Sequence, residues 1–362
     1  MGPTRGNQKV RAICVCHWPI ERKYVNAMLT GRLGYRTALG LFVHDAEISM
    51  LLHNEPILRH RVKAIPLASC SDPFSAPAAN KWAYLIKRDP STALTYPLCC
   101  HTGGATTTTD ISWLSEERCF HSMFTAYMLL EGISASICED RILGQLDHPS
   151  TQRYEQDLMS WYSRYEQQIK KRSDPLCLLI LWHAIWMSLL ADFNSLELAI
   201  GDEGPTAVAS AISSLVSQWS LATDAKRCLL HAYLLQRNLK SAPMGRATAI
   251  HVPRCLFTAA VAWAGYLAWT SKDCRTPDDI IQELGHLWSS GQILVSWPEV
   301  QLLTGDGVLD CLETFSSQAE NVTFVKANTL CVLIDLLRQL GHCGIAQRFT
   351  HVLTALIDPT GG

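Results

Sequence analysis

Residues 175–191 carry no formal charge, and Asp174 and Asp192 close the run at its two ends. An amphipathic surface helix repeats a polar face every three to four positions, and the Leu, Ile, Trp and Met residues around His183 leave no such face. The pattern predicts a helix buried on all sides. Asp174 is expected to cap its start, with Pro175 at the first helical position, where a missing N–H costs nothing. A membrane span needs about 20 apolar residues, so this shorter run, with acidic flanks and an imidazole inside it, reads as a core helix. A second uncharged run, Cys255 to Ser271, follows Arg254 and predicts another very apolar helix.

Elsewhere the apolar positions form single stripes. Val208, Ile212, Leu215, Val216 and Trp219 recur at helical spacing after Pro205. After a cap at Thr223 or Asp224, Cys228, Ala232, Leu235 and Leu239 share one face, with Lys226, Arg227 and Arg237 expected toward solvent. Phe324, Ala327, Leu330, Cys331, Ile334 and Leu337 predict a helix stopped by Gly341. Beyond Gly344, Ile345, Phe349, Val352, Leu353 and Leu356 predict its antiparallel neighbour across a short turn. No alternating strand run of useful length occurs and no repeat of fixed period is present, so the predicted class is all-α, a multi-helix domain with two very apolar central helices.

Composition narrows the function classes. A chain of 362 residues with 48% apolar and 18% charged residues has ample material for a core. A net charge of −2 gives no electrostatic case for direct nucleic-acid binding, which needs clustered Lys and Arg. The 14 cysteines follow no apolar leader, and Cys177, Cys228, Cys255 and Cys331 fall within helical apolar patterns, where Cys acts as a small hydrophobe. A reducing compartment is expected.

Candidate chemistry is sparse. Cys14, Cys16 and His17 form one cluster and Cys99, Cys100 and His101 another, but a zinc finger needs two Cys two to four residues apart and paired His about a dozen residues on. His44 and His53 have neither the right distance nor the right separation. No Gly-x-Ser-x-Gly elbow, His-Glu-x-x-His or phosphate-binding Gly-x-x-x-x-Gly-Lys motif is present. Asp278 and Asp279 hint at an all-α magnesium site, yet Gln282 stands where a third carboxylate is needed, and both acids suit the first turn of a helix. His183 reads as a core histidine bonded to a neighbouring helix carbonyl, and His251 as a brace at a helix start. No catalytic, cofactor-binding or metal-ligating residue is assigned, no cofactor is expected, and the chain is not read as an enzyme.

Several stretches together resemble a known family. The segment Asp174 to His183, continuing through Phe193 to Gly201-Asp-Glu-Gly-Pro205, is similar to the regulatory (middle homology) domain of fungal-specific transcription factors, in the subgroup usually carrying N-terminal Cys-Cys-His-His zinc fingers. The likeness continues in Asp224 to His231, in Ala249 to Phe257, and in Leu330 to Gly341 followed by Gly344 to Phe349. Upstream, Leu41, Phe42, Asp45, Ser49 and Pro56, then Ile65-Pro66, Ser71-Asp72, Ala76 and Trp82, resemble that family's middle block. The fingers should precede Tyr35, and the 34 residues there contain none.

The expected organisation is an irregular segment over 1–34, a partial middle block over 35–90, a Thr/Gly-rich loop over 91–112 and a helical part over 113–358. The resemblance implies a nuclear regulator of transcription acting on metabolic or secondary-metabolite biosynthesis genes, with no DNA-binding module recognisable in these residues. Protein partners or self-association through apolar helix faces are expected, with DNA reached indirectly or through absent fingers, and no membrane. The burial expected for the first apolar run has a direct test. Leu181→Asp or Trp186→Asp should abolish soluble expression, because an unpaired buried charge costs several kcal/mol against a total stability of roughly 5–15; a soluble, folded variant would refute it.

Overall fold

The computed structural model describes residues 37–58, 78, 80–81, 84, 123–172, 174–201, 206–241, 249–270, 297–303, 322–340 and 344–357. These residues form eleven helices and no strand, so the chain is all-α. In chain order they are α1 (37–52), α2 (Met123–Ile142), α3 (His148–Arg172), α4 (Leu178–Leu190) and α5 (Phe193–Ile200). There follow α6 (Thr206–Leu221), α7 (Thr223–Ser241), α8 (Val252–Thr270), α9 (Pro298–Leu303), α10 (Val322–Gln339) and α11 (Gly344–Ile357). The clusters at Cys14–His17 and Cys99–His101, the pair Asp278 and Asp279, and the 91–112 loop lie outside the described residues.

The chain divides into two compact units, residues 1–45 with 58–128, and residues 46–57 with 129–362. In the first, Leu39, Phe42 and Val43 are buried, and the Asp45 carboxylate accepts the Leu58 amide at 2.7 Å. The second holds the two very apolar helices. α4 packs on α7, α3 and α8. α8 in turn touches α5, α6, α7, α10 and α11. All but one residue of α4 are buried, as its lack of a polar face requires.

The ends of α4 differ from expectation in an informative way. The helix starts at Leu178, three residues after Pro175, and 174–177 form a turn closed by the Cys177 amide on the Asp174 carbonyl at 3.1 Å. Asp174 still caps it: its two carboxylate oxygens accept the Leu178 and Leu179 amides at 2.9 and 3.0 Å. Cys177 adopts the left-handed region at φ 51° so that the turn can feed the helix. At the far end Arg141 of α2 donates one Nη2 to the Ser188 and Leu189 carbonyls at 2.6 and 3.1 Å, satisfying acceptors that helical geometry leaves open. The chain then bends by 81° into α5. Among the described residues no single helix is long and apolar enough to cross a membrane.

Four predicted faces need correction in part. In α6, Leu215 is exposed, and the buried side runs through Val216 and Ser220 with Trp219 half-buried, whose indole N–H donates to the Leu190 carbonyl at 3.1 Å. In α7, Cys228, Ala232, Leu235 and Leu239 are buried as predicted, but so is Arg227. In α10, Ile334 and Leu337 are buried as predicted, but Cys331 is exposed, and Leu333 and Leu336 join the buried side. In α11, Phe349 and Leu353 are buried as predicted, with Ala346 beside them, but Val352 is exposed; Phe349 stacks on Phe257 of α8 at 4.2 Å.

α5 and α8 approach closely at Gly265, where an added Cβ would meet Leu196 Cδ2 at 2.8 Å. Gly265→Val therefore overpacks this crossing. A loss of about 1–3 kcal/mol is expected, read as a lower urea midpoint with unchanged m-value.

Candidate functional site

Two polar clusters lie inside the second unit, and both are assembled from helices far apart in sequence. The first sits between α4, α7 and α9. His183 of α4 and His231 of α7 face each other Nδ1 to Nδ1 at 3.0 Å. Asn238 Nδ2 lies 3.3 Å from His183 Nε2, and Glu299 Oε1 lies 3.7 Å from His231 Nε2. Two facing ring nitrogens can bond only if one carries hydrogen and the other does not. Glu299 is acceptor-only when ionised, and although burial raises its pKa, contacts with His231 and Arg227 bring it down to about 2. This places the His231 proton on Nε2, toward Glu299, and makes its Nδ1 the acceptor of His183 Nδ1–H. His183 Nε2 then accepts from Asn238. Burial lowers the pKa of both histidines, so both are neutral.

Arg227 completes this cluster. Its Nε and Nη2 grip the two Glu299 oxygens, and its Nη1 donates to Glu155 of α3 at 2.5 Å. The guanidinium also lies 4.8 Å over the Trp186 ring, which stacks on His231 at 5.3 Å. Arg227 was expected toward solvent with Lys226 and Arg237, and it is buried. Its helical spacing to His231 and Asn238 puts it on the inner face, and that spacing was the readable clue. Glu299 and Glu155, each 72 positions away, left none.

A cleft of about 350 Å³ opens beside this network, with His183 and Asn238 among its lining residues and Tyr162, Leu179, Leu234 and Leu303 as further walls. Lys170 at its edge is paired with Glu166 at 2.6 Å. None of the described lining residues is a serine, threonine or cysteine, so the cleft has no side-chain nucleophile of those types for His183 to activate.

The second cluster joins α1, α2 and the start of α8. Arg254 Nε and Nη2 donate to both oxygens of Glu47 at 2.8 and 2.9 Å. Burial raises the Glu47 pKa, but Arg254 outweighs it and holds the carboxyl at about 2. His251, just ahead of α8, bonds the Cys177 carbonyl with Nε2 at 3.1 Å, bracing the helix start as anticipated, and burial lowers its pKa to about 4. Glu47, Glu131 and His251 bring three potential metal-donor atoms within 4.8 Å of one another. Both Glu47 oxygens are taken by a bidentate guanidinium, and one His251 nitrogen is committed to a carbonyl. A cation would have to displace Arg254 to be held there. The cluster acts as a hydrogen-bonded clamp between helices.

The described cysteines Cys138, Cys177, Cys228, Cys255 and Cys331 are free thiols. Burial pushes Cys228 and Cys255 well above the usual thiol range, which suits apolar filler rather than a nucleophile. No known protein family, curated protein or solved structure matches the chain.

The buried imidazoles fix the sign of the acid response. His251 titrates near 6.5 when unfolded and near 4 when folded, so its contribution is full above about pH 6.5 and is lost as pH falls toward 4. That contribution is on the order of 3 kcal/mol. Glu47 and Glu299 add a second loss as pH falls from 4.5 to about 2. The thermal midpoint should drop between pH 7.5 and 5, with a shallower slope in His251→Gln. An equal midpoint at the two pH values would contradict the neutral buried assignment.

Proposed function

We propose that the chain is the helical regulatory part of a nuclear transcription regulator of the fungal type, controlling metabolic or secondary-metabolite biosynthesis genes through partner proteins. One observation supports this reading above the others. The stretches that resemble the fungal regulatory domain are the ones that hold the second unit together: α4, the start of α7 carrying Arg227 and His231, and the segment entering α8 with His251 and Arg254. They are tied by the His183–His231 bond, the His251–Cys177 bond and the packing of α7 between α4 and α8.

The surface is consistent with action through proteins. Leu41, Ile48 and Leu52 of α1 are each more than half exposed and recur at i, i+7 and i+11, one apolar strip along the helix. With a net charge of −2, the chain has no basic excess to hold phosphates, so contact with promoters would come through partners.

A fluorescently tagged chain should concentrate in the nucleus, and its deletion should change transcript levels of a limited set of metabolic genes. Purified chain alone should give no sequence-specific shift of promoter DNA; a tight sequence-dependent shift would overturn indirect action. Ile48→Glu combined with Leu52→Glu should leave circular dichroism unchanged and reduce reporter transcription. Undiminished output from a folded double variant would remove the strip from the mechanism.

A further inference from the structure

A second pocket, of about 160 Å³, lies where α1, α2, α5 and α8 meet, away from the histidine network. Its polar lining is unusual because one cation there is only partly satisfied. Arg141 gives a single nitrogen, Nη2, to the carbonyls closing α4, while its Nε and Nη1 make no hydrogen bond among the described residues. No carboxylate forms an ion pair with it there. Burial lowers its pKa despite the nearby Asp192, so its charge is under-compensated. A half-buried guanidinium with two open donors at a pocket wall is a ready partner for a carboxylate.

The same pocket carries carboxylates of its own. Asp192 accepts the Ser195 hydroxyl at 2.5 Å, and Glu197, about a third exposed, sits 3.2 Å from His53 Nε2. A simple anion answering Arg141 would meet repulsion from these two groups; a molecule with an ammonium beside its carboxylate would not. The remaining wall is apolar, built by Met50, Ile137, Phe193 and Phe257. Phe257 is held in place by its stack on Phe349. Arg254 also lines the pocket, but its charge is already neutralised by Glu47. A cavity of roughly 150 Å³ accommodates benzene, so this one suits a molecule of similar size or slightly larger, with its charged end at the mouth.

We infer that this pocket binds a free amino acid with an aliphatic side chain, its carboxylate on Arg141, its ammonium toward Glu197 and Asp192, and its side chain against Phe257 and Ile137. Such a site makes the second unit a sensor of small metabolites. It stands independently of the transcriptional reading, since binding is measured on the purified chain without DNA or partners.

The test is calorimetric titration of the full chain with L-leucine, 4-methylpentanoate, which lacks the ammonium, and isopentylamine, which lacks the carboxylate. L-Leucine should bind at least about tenfold more tightly than either analogue. Glu197→Gln, a change at a partly exposed position, should weaken L-leucine and leave 4-methylpentanoate unaffected or tighter. Arg141→Lys, which keeps the charge and loses the fork, should weaken both carboxylates. If Arg141→Lys fails to fold, Glu197→Gln carries the test. No heat from millimolar L-leucine, equal affinity for 4-methylpentanoate, or unchanged L-leucine affinity in Glu197→Gln would each overturn the assignment.

Discussion

The structure of the second unit follows from one constraint: α4 has no polar face, so its whole circumference must be covered by other helices. α3, α7 and α8 do this, and the polar groups that α4 brings inside are bonded on those helices or along α4 itself, save the Trp186 indole N–H. Trp182 donates its indole N–H to the Leu158 carbonyl of α3 at 2.9 Å. His183 bonds His231 of α7, and Ser188 turns back onto the Ala184 carbonyl of its own helix. The helix ends are closed by Asp174 on one side and Arg141 on the other. Remove α4 and these neighbours lose both their apolar contact and their polar complement.

The buried arginines serve the same constraint at a distance. Arg254 reaches Glu47 across 207 positions, and Arg227 reaches Glu155 and Glu299 across 72 in each direction. Buried ion pairs of this kind stabilise less than their Coulomb energy suggests, because both charges leave water. Their stronger effect is selective. A helix that docks in the wrong register leaves a guanidinium or carboxylate unpaired in a low-dielectric interior, which costs far more than a lost apolar contact. The clamps therefore discriminate between the native packing and slipped alternatives of a chain rich in interchangeable apolar helices.

The same geometry separates the polar interior into regions with different capacities. The histidine network and the Glu47–Arg254 clamp hold their charges in pairs, although His231 Nε2 comes no nearer than 3.7 Å to Glu299. The pocket at Arg141 is different because capping α4 uses only part of that side chain. A residue recruited to finish a helix end thus leaves donors facing an open volume, and a structural role and a binding role coincide in one guanidinium.

The helical class, the two very apolar helices and the Cys228 to Leu239 stripe of α7 were legible in the sequence. Periodicity reports burial directly when a helix has one clear apolar stripe, as Cys228 to Leu239 does. His251 was foreseen as a brace and His183 as a core histidine, but His183 was expected to bond a helix carbonyl and instead meets the His231 ring, 48 positions away. Tertiary structure alone decided the rest. Arg227 looks solvent-exposed by type, and only the arrival of Glu299 and Glu155 allows it to be buried. Leu215 looks buried by type, yet α6 turns it outward. The pocket at Arg141 draws on segments around residues 50, 140, 195 and 257, which no local pattern relates. Periodicity encodes which face of a helix is hidden; which charges meet across 72 or 207 positions is fixed only when the helices pack.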